Sequence, residues 1–169
     1  MKYSVTPRLR SALGLATLAL VVAFCASSCQ AQFTSSPADA SALSVPQAQL
    51  IQAEALAGLL KSPIPSKPLM LQVGSRVLFA ESHIPGSEYV GPGSQPSGLQ
   101  ALQSRVASVS RKQLIVLYCG CCPWNHCPNV GPAFHHLQAM GFTNVKVLYL
   151  PNNFGADWVD KGYPVEASR

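Results

Sequence analysis

The feature that most constrains the fold is an apolar run at residues 114–118, which leads without a break into a cluster of cysteines. A short run that is apolar throughout is typical of a strand covered on both faces, as the strands of parallel sheets are. We therefore expect Cys119 to lie at the carboxyl end of a buried parallel strand.

Strands and helices are predicted to alternate along the rest of the chain. Apolar runs predict two further strands, at residues 69–73 and 145–150. Helical spacing predicts helices over residues 46–60, up to residue 81, over 99–109, from Pro128 to Met140 and over 154–161. Turn signals mark residues 83–86, and a loop is expected at 91–98. This alternation predicts an α/β domain with a central, mainly parallel sheet flanked by helices on both faces.

Residues 1–31 have the three-part pattern of a signal peptide. A positive segment with Lys2, Arg8 and Arg10 is followed by an apolar stretch over residues 12–26 and then by small residues. The apolar stretch is shorter than the roughly 20 residues that span a bilayer, which favours a cleaved signal over a transmembrane anchor.

Two cleavage sites compete at the end of this segment. Cleavage near Ala31 would leave a soluble protein, whereas cleavage before Cys29, as in bacterial lipoproteins, would leave that cysteine to carry a lipid. Both sites predict an exported protein, either periplasmic or a membrane-anchored lipoprotein. A membrane link is expected only through a lipid on Cys29. Disulfides persist in such a compartment.

The remaining sequence divides into a tether and one domain. Residues 32–44 are rich in Ser, Ala and Pro, which is typical of a flexible tether, and residues 45–166 form the predicted domain. The net charge is +5, but three of these charges belong to the N-terminal segment. Since no cluster of Lys and Arg interleaves with aromatic residues, nucleic-acid binding is not expected.

The loop after the central strand holds four of the six cysteines within nine residues. It reads Cys119, Gly120, Cys121, Cys122, Pro123, Trp124, Asn125, His126 and Cys127. Ligands bind at the carboxyl ends of parallel strands, and the free N–H groups and dipole of a helix N-terminus favour an anion. A thiolate at Cys119 should therefore have a lowered pKa and a raised reactivity.

Four interpretations of the loop remain open at this point. Cys119 could be a nucleophile that carries sulfur, or Cys119 and Cys122 could be a redox pair with C-x-x-C spacing. Several thiolates, with His126, could bind a soft metal, or Cys122 and Cys127 could form one structural disulfide. A lone C-x-x-C is weak evidence and no second ligand pair completes a zinc site, so no metal or cofactor is predicted.

Three segments, in this order, resemble the rhodanese-like domain family. The first joins residues 71–74 to residues 79–86, which end in His83-Ile84-Pro85-Gly86. The second is residues 115–119, similar to the strand before the family's active-site cysteine. The third is residues 141–145, with Trp158 and residues 162–165 behind it. The resemblance covers nearly all of the predicted domain.

The resemblance implies a fold and an activity. The family fold is a parallel sheet flanked by helices, and its activity is sulfane-sulfur transfer through a cysteine persulfide. Cys119 would then be the nucleophile, and the backbone N–H groups of residues 120–124 would hold the anionic sulfur. Gly120, Cys121, Cys122, Pro123, Trp124, His126 and Cys127 would complete the active-site loop. The partner would be a small sulfur donor or a thiol acceptor.

The chain departs from the family pattern at three points. Gln72-Val73-Gly74 stands where the family usually has Asp-Val-Arg, and the active-site loop is longer than usual. The loop has no Arg or Lys to hold an oxyanion donor, which disfavours thiosulfate. Counting back from the helix also brings Cys122 forward as an alternative nucleophile to Cys119.

These departures keep two other function classes open. One is an exported thiol-redox or metal-binding protein that uses Cys119, Cys121, Cys122 and Cys127, with the extra thiols resolving a persulfide or forming a disulfide. The other is a non-catalytic module with the same fold. Among the remaining residues, His83 is expected to have a structural role and Trp158 to lie in the core, while Trp124 is expected to wall the pocket.

Overall fold

The computed structural model describes residues 44–63 and 67–168. The predicted signal peptide, Cys29 and all of the tether before residue 44 lie outside these residues, so the predictions made for them stay predictions. Within the described part of the chain, no helix is both long enough and apolar enough to cross a membrane.

The described residues form one five-stranded sheet with helices between the strands. The strands are β1 (Leu50–Gln52), β2 (Leu69–Gln72), β3 (Glu88–Tyr89), β4 (Ile115–Tyr118) and β5 (Val145–Tyr149). The α-helices are α1 (Ala53–Lys61), α2 (Arg76–Glu81), α3 (Pro96–Val106) and α4 (Val130–Ala139). A π-helix follows at Gly155–Val159.

All strand pairs in this sheet are parallel, and the strand order is β1-β5-β4-β2-β3. β4 lies at the centre, with Leu117 in register with Leu71 of β2 and with Val147 of β5. All four residues of β4 are buried. The sheet confirms the predicted α/β fold, with the cysteine loop leaving the carboxyl end of the central strand.

Two apolar layers cover the sheet, one on each face. On one face the strands pack against α3 and α4, with Leu102 and Phe134 fully buried. On the other face they pack against α1 and the π-helix, with Leu56 and Trp158 fully buried. Side chains alternate along β4, so Tyr118 belongs to the second layer and Cys119 to the first.

Two strands were not predicted. Leu50–Gln52 was assigned to the first helix, but it pairs with β5, and α1 begins only at Ala53. Its Leu, Ile and Gln residues suit either structure, so sheet pairing decides. β3 has only two residues, too few to give a periodic signal, and it lies between the predicted turn and the predicted loop.

Several helix boundaries also differ from the predictions. Pro128 precedes α4, which begins at Val130, and Gly131 and Pro132 fall in its first turn. A proline there is harmless because the first N–H groups of a helix have no partner within it. α3 begins at Pro96, inside the predicted loop, and the predicted final helix is the shorter π-helix.

Gly120 holds the start of the cysteine loop against the segment that follows β5. Its φ is +73°, and a Cβ at this position would lie 2.6 Å from Phe154 Cβ. The Phe154 N–H donates a hydrogen bond of 3.0 Å to the Gly120 carbonyl. A side chain here would therefore meet both backbone strain and a clash.

We expect Gly120→Ala to lower the free energy of unfolding by about 2–3 kcal/mol. Gly58→Ala is the matched control, because Gly58 is an exposed residue of α1 with open space around its Cβ position. The control should raise stability by about 0.5–1 kcal/mol. Urea unfolding of the three proteins measures both changes, and equal effects would contradict the assigned packing of Gly120.

Candidate functional site

Cys119 is a buried thiol at the carboxyl end of β4. Only 4% of its surface is exposed, and it packs in the layer that contains α4. Gly74 faces it, and a Cβ on Gly74 would lie 2.6 Å from Cys119 Sγ. The family usually has Arg at this position, and the absence of a side chain here leaves the space that the thiol occupies.

Gln72 stands where the family usually has Asp, and it holds the start of the loop without a charge. Its Nε2 donates to the Cys119 carbonyl at 3.2 Å, and its Oε1 accepts from the Gly74 N–H at 3.1 Å. Gln72 is 2% exposed, so these hydrogen bonds satisfy a buried amide. A neutral bridge thus replaces the two family charges.

Trp124 closes the far side of the loop. Its backbone N–H donates to the Pro151 carbonyl at 3.1 Å, and its ring contacts the Tyr149 ring edge-on, with centroids 5.2 Å apart. The resemblance implied that the Trp124 backbone N–H would help to hold the sulfur. In the structure this N–H is instead bonded to the neighbouring chain segment. The side chain does wall the space beside Cys119, as predicted.

The four loop cysteines are free thiols, and three of them form a contact chain. Cys119 Sγ lies 3.0 Å from Cys121 Sγ, and Cys121 Sγ lies 3.5 Å from Cys122 Sγ. Cys122 Sγ in turn donates to the His126 carbonyl at 3.6 Å. The thiol in contact with Cys119 is therefore Cys121, whereas the C-x-x-C spacing pointed to Cys122, and the structural disulfide between Cys122 and Cys127 is not formed.

Asn129 is a site residue that the sequence analysis missed. Its Nδ2 donates to Cys119 Sγ at 3.4 Å and approaches Cys121 Sγ at 3.9 Å. Its Oδ1 accepts from the backbone N–H and the hydroxyl of Ser94, at 3.1 and 2.8 Å. Because Ser94 occupies the oxygen, the amide must present its N–H groups to the sulfurs. No local sequence signal marks Asn129, because its contacts are with residues distant in the chain and its side chain does not cap α4.

Cys127 is the thiol with the lowered pKa. The hydrogen bond from Cys119 contributes most, and the backbone N–H groups of Asn129 and Val130 contribute further, so the pKa falls to about 6 although burial opposes it. These two N–H groups belong to the N-terminal end of α4, where donors are free and an anion is favoured. These contacts favour a thiolate at Cys127 over one at Cys119.

The pKa of Cys119 is raised, first by its hydrogen bond to Cys127 and then by burial and the Cys127 charge. The Cys121 backbone N–H acts in the opposite direction. We expected the lowered pKa at Cys119, but the helix N-terminus acts on Cys127, because the long loop brings that residue to α4. Cys119 and Cys127 titrate as a coupled pair, and the N–H groups at the start of α4 favour the negative charge on Cys127.

Cys122 keeps its proton in this cluster. Desolvation and then the neighbouring thiols raise its pKa to about 12. The alternative in which Cys122 is the nucleophile therefore gains no electrostatic support.

Two open clefts reach the thiols from different sides. The first, about 320 Å³, is called the Cys127 cleft and is lined by Ser44, Val45, Trp124, Asn125, Cys127, Val130 and Gly131. The second, about 360 Å³, is called the Cys121 cleft and is lined by Leu78, Glu81, Ser82, Gly120, Cys121, Asn153, Phe154, Gly155 and Val159. Among the described residues, no Lys or Arg lines either cleft.

The other predicted residues lie at the rim of the site or outside it. Pro123 and His126 are exposed in the loop. His83 is buried and structural: its Nδ1 lies 2.7 Å from the Phe79 carbonyl and its Nε2 3.2 Å from Glu166 Oε1. Across residues 44–63 and 67–168, no group of three or more His, Cys, Asp and Glu side chains could hold a metal ion.

Comparison with known proteins gives one family and several solved structures. The model of the family described as Rhodanese-like domain matches residues 54–149. The rhodanese-like domain of the Alr3790 protein from Anabaena sp. has 22% identity and a TM-score of 0.51, covering 70% of this chain and 79% of that one. The BH2092 protein from Bacillus halodurans has 20% identity and a TM-score of 0.55, covering 70% and 77%.

A third similar structure is a thiosulfate sulfurtransferase from Pseudomonas aeruginosa. It has 25% identity and a TM-score of 0.51, covering 73% of this chain but 20% of that longer one. No curated protein matches the chain significantly.

The coupled pair predicts a specific effect of Cys119 on Cys127. We expect alkylation of Cys127 to rise with pH through a midpoint of about 6. In Cys119→Ala, which removes the largest stabilising hydrogen bond, the midpoint should move toward the ordinary thiol value of about 8.5. Timed alkylation and peptide mass mapping measure this. Cys122→Ala removes a weaker contact and should shift the midpoint less, and an unchanged midpoint in Cys119→Ala would refute the pairing.

The Asn129 contacts predict that Asn129→Asp suppresses thiolate formation in the loop. The carboxylate keeps the acceptor for Ser94 but replaces the donor to the sulfurs with a negative charge. We expect alkylation of the loop at pH 7 to slow about tenfold. Asn144→Asp, a charge-matched change at an exposed residue just before β5, should leave the rate unchanged. Equal rates in both variants would rule out this role for Asn129.

Proposed function

Because the chain belongs to the rhodanese-like domain family, we propose that it is a sulfurtransferase that moves sulfane sulfur through a persulfide on Cys119. The family match covers the strands on both sides of the cysteine loop, and the sequence resemblance to the family is thereby confirmed. The thiosulfate sulfurtransferase among the similar structures supports the reaction class.

The observation that carries the proposal is the position of Cys119 at the carboxyl end of the central strand, where it and Cys127 line the same small space. The side-chain hydrogen bond with Cys119 and the N–H groups at the start of α4 lower the pKa of Cys127, so this residue is the base of the proposed step. As Cys119 Sγ attacks the outer sulfur of a donor, its proton passes to Cys127. The donor's sulfur–sulfur bond breaks, and the remainder of the donor leaves with the electron pair. The products are a neutral thiol on Cys127 and a persulfide on Cys119, which becomes anionic as its proton passes to the departing thiolate.

Uncharged hydrogen-bond donors would stabilise the new persulfide. Asn129 Nδ2 already lies 3.4 Å from Cys119 Sγ, and the Cys121 backbone N–H points at the same atom. Preorganised dipoles of this kind stabilise charge without a cation when water is excluded. The burial of Cys119 supports such an environment.

The site is suited to a sulfur donor of low charge. Neither cleft has a Lys or Arg in its described lining, and Glu81 adds a carboxylate to the Cys121 cleft. A dianion such as thiosulfate would find no opposite charge there. We therefore infer that the donor is a persulfide or polysulfide of a small thiol, with a thiol as the acceptor.

The place of action that fits this chemistry is outside the cytoplasm. The signal-peptide pattern of residues 1–31 supports export to the periplasm, or membrane attachment through a lipid on Cys29.

A thiol oxidoreductase is a second candidate, favoured by the 3.0 Å contact between Cys119 Sγ and Cys121 Sγ. Such a protein would pass electrons through a disulfide and would carry no extra sulfur. The presence or absence of a persulfide therefore separates the two functions.

The test is the intact mass of the reduced protein after treatment with a small-thiol persulfide, and separately with thiosulfate. We expect one added sulfur at early times with the persulfide donor, removal of this sulfur by cyanide as thiocyanate, and little reaction with thiosulfate. Cys119→Ser should gain no sulfur, and Asn144→Asp, at an exposed residue outside the loop, should behave as wild type. In Cys127→Ser, persulfide formation at pH 7 should slow about 100-fold, because the base is lost.

Two results would contradict this assignment. Sulfur found on Cys127 in Cys119→Ser would move the nucleophile to Cys127. If neither wild type nor Cys121→Ser gains sulfur from either donor, and wild type forms a disulfide without releasing hydrosulfide, the protein would be an oxidoreductase.

A further inference from the structure

Cys121 is the loop thiol in closest contact with the proposed nucleophile. The two Sγ atoms are 3.0 Å apart, about 1 Å longer than a disulfide bond. Only Gly120 separates the two residues, and its positive φ turns the chain so that both thiols lie on the same side. A bond between them thus requires no large movement of the backbone.

The two thiols differ in their access to solvent. Cys119 is buried, whereas Cys121 is partly exposed and lines the Cys121 cleft. The cleft opens between α2 and the π-helix, where Leu78 and Val159 are exposed. An external thiol can therefore reach Cys121 Sγ from this side while Cys119 stays covered.

Resting on the proposed function, we propose that Cys121 is the resolving thiol, which converts the Cys119 persulfide into a Cys119–Cys121 disulfide and releases hydrosulfide. Cys121 Sγ bonds to Cys119 Sγ, and the bond from Cys119 Sγ to the outer sulfur breaks. The outer sulfur leaves with the electron pair and takes the Cys121 proton, which balances the step. The sulfane sulfur is reduced, and the two cysteines are oxidised.

An external dithiol then restores the site through the Cys121 cleft. One of its thiolates attacks the partly exposed Cys121 Sγ and releases the Cys119 thiolate. Its second thiol then attacks the mixed disulfide and releases Cys121, and the dithiol becomes a disulfide. Attack on an accessible sulfur is the favoured route of thiol–disulfide exchange. A disulfide that closes over one residue is strained, and strained disulfides are readily reduced.

The other two thiols are placed for different tasks. Cys127 lies at the N-terminus of α4, where it holds the proton of the attack step, and it faces the other cleft. Cys122 Sγ is in contact with Cys121 Sγ and with the His126 carbonyl. The contact chain therefore passes from Cys119 to Cys121 first.

The experiment loads the reduced full chain with one equivalent of a small-thiol persulfide, removes the excess, and follows three products over time. These are the persulfide, by intact mass; free hydrosulfide; and unalkylated cysteines, by alkylation and fragment sequencing. We expect wild type to release one hydrosulfide per persulfide without added reductant. Cys119 and Cys121 should then resist alkylation until dithiothreitol is added, while Cys122 and Cys127 are labelled.

In Cys121→Ser, the persulfide on Cys119 should persist and hydrosulfide release should fall at least tenfold. Cys121→Ala is a second variant that tests the same loss, and Asn144→Asp, a change at an exposed residue outside the loop, is the control that should match wild type. Equal persulfide lifetimes in wild type and Cys121→Ser, or a disulfide from Cys119 to Cys127, would overturn the role of Cys121 and leave the sulfurtransferase intact. If no sulfur adds to wild type or to either Cys121 variant, the proposed function fails and this role fails with it.

Discussion

The position of β4 controls the site, because Cys119 follows directly from a strand that is buried on both faces and paired on both sides. Neither the strand nor the first residue of the loop can shift without breaking the parallel pairing with β2 and β5. The remaining loop must then return to the start of α4, and Gly120 and Trp124 are both held by the segment that follows β5. The rigid strand thus fixes one thiol, and the loop arranges the other three around it.

The second organising force is the N-terminus of α4, which supplies the positive potential in a site whose clefts have no lysine or arginine among their described lining residues. Its N–H groups reach Cys127, and the charge held there draws the proton of Cys119. Asn129 adds a neutral donor to the sulfurs, and Gln72 holds the Cys119 carbonyl. Dipoles therefore carry out the work that charged side chains do in sites that bind dianions.

The sequence predicted the central strand, the sheet class, the buried Trp158 and the structural His83, because each has a local signal: an apolar run, an alternation or a turn. β1 was missed because a three-residue edge strand is decided by its partner and not by its own residues. Asn129 was missed for a related reason. Its meaning depends on Ser94 and Cys119, which are far from it in sequence and meet it only in the folded sheet.

The assignment of the thiolate shows how loop length changes chemistry. A helix N-terminus stabilises the thiol nearest to it, and in a short loop that thiol is the one at the end of the strand. Here the loop extends to Cys127, so the charge is stabilised at that residue and Cys119 becomes a buried, protonated neighbour. Cys127 and Cys121 line two different clefts, while Cys119 is buried. In the proposed mechanism, such a site takes up sulfur next to Cys127 and exchanges electrons next to Cys121.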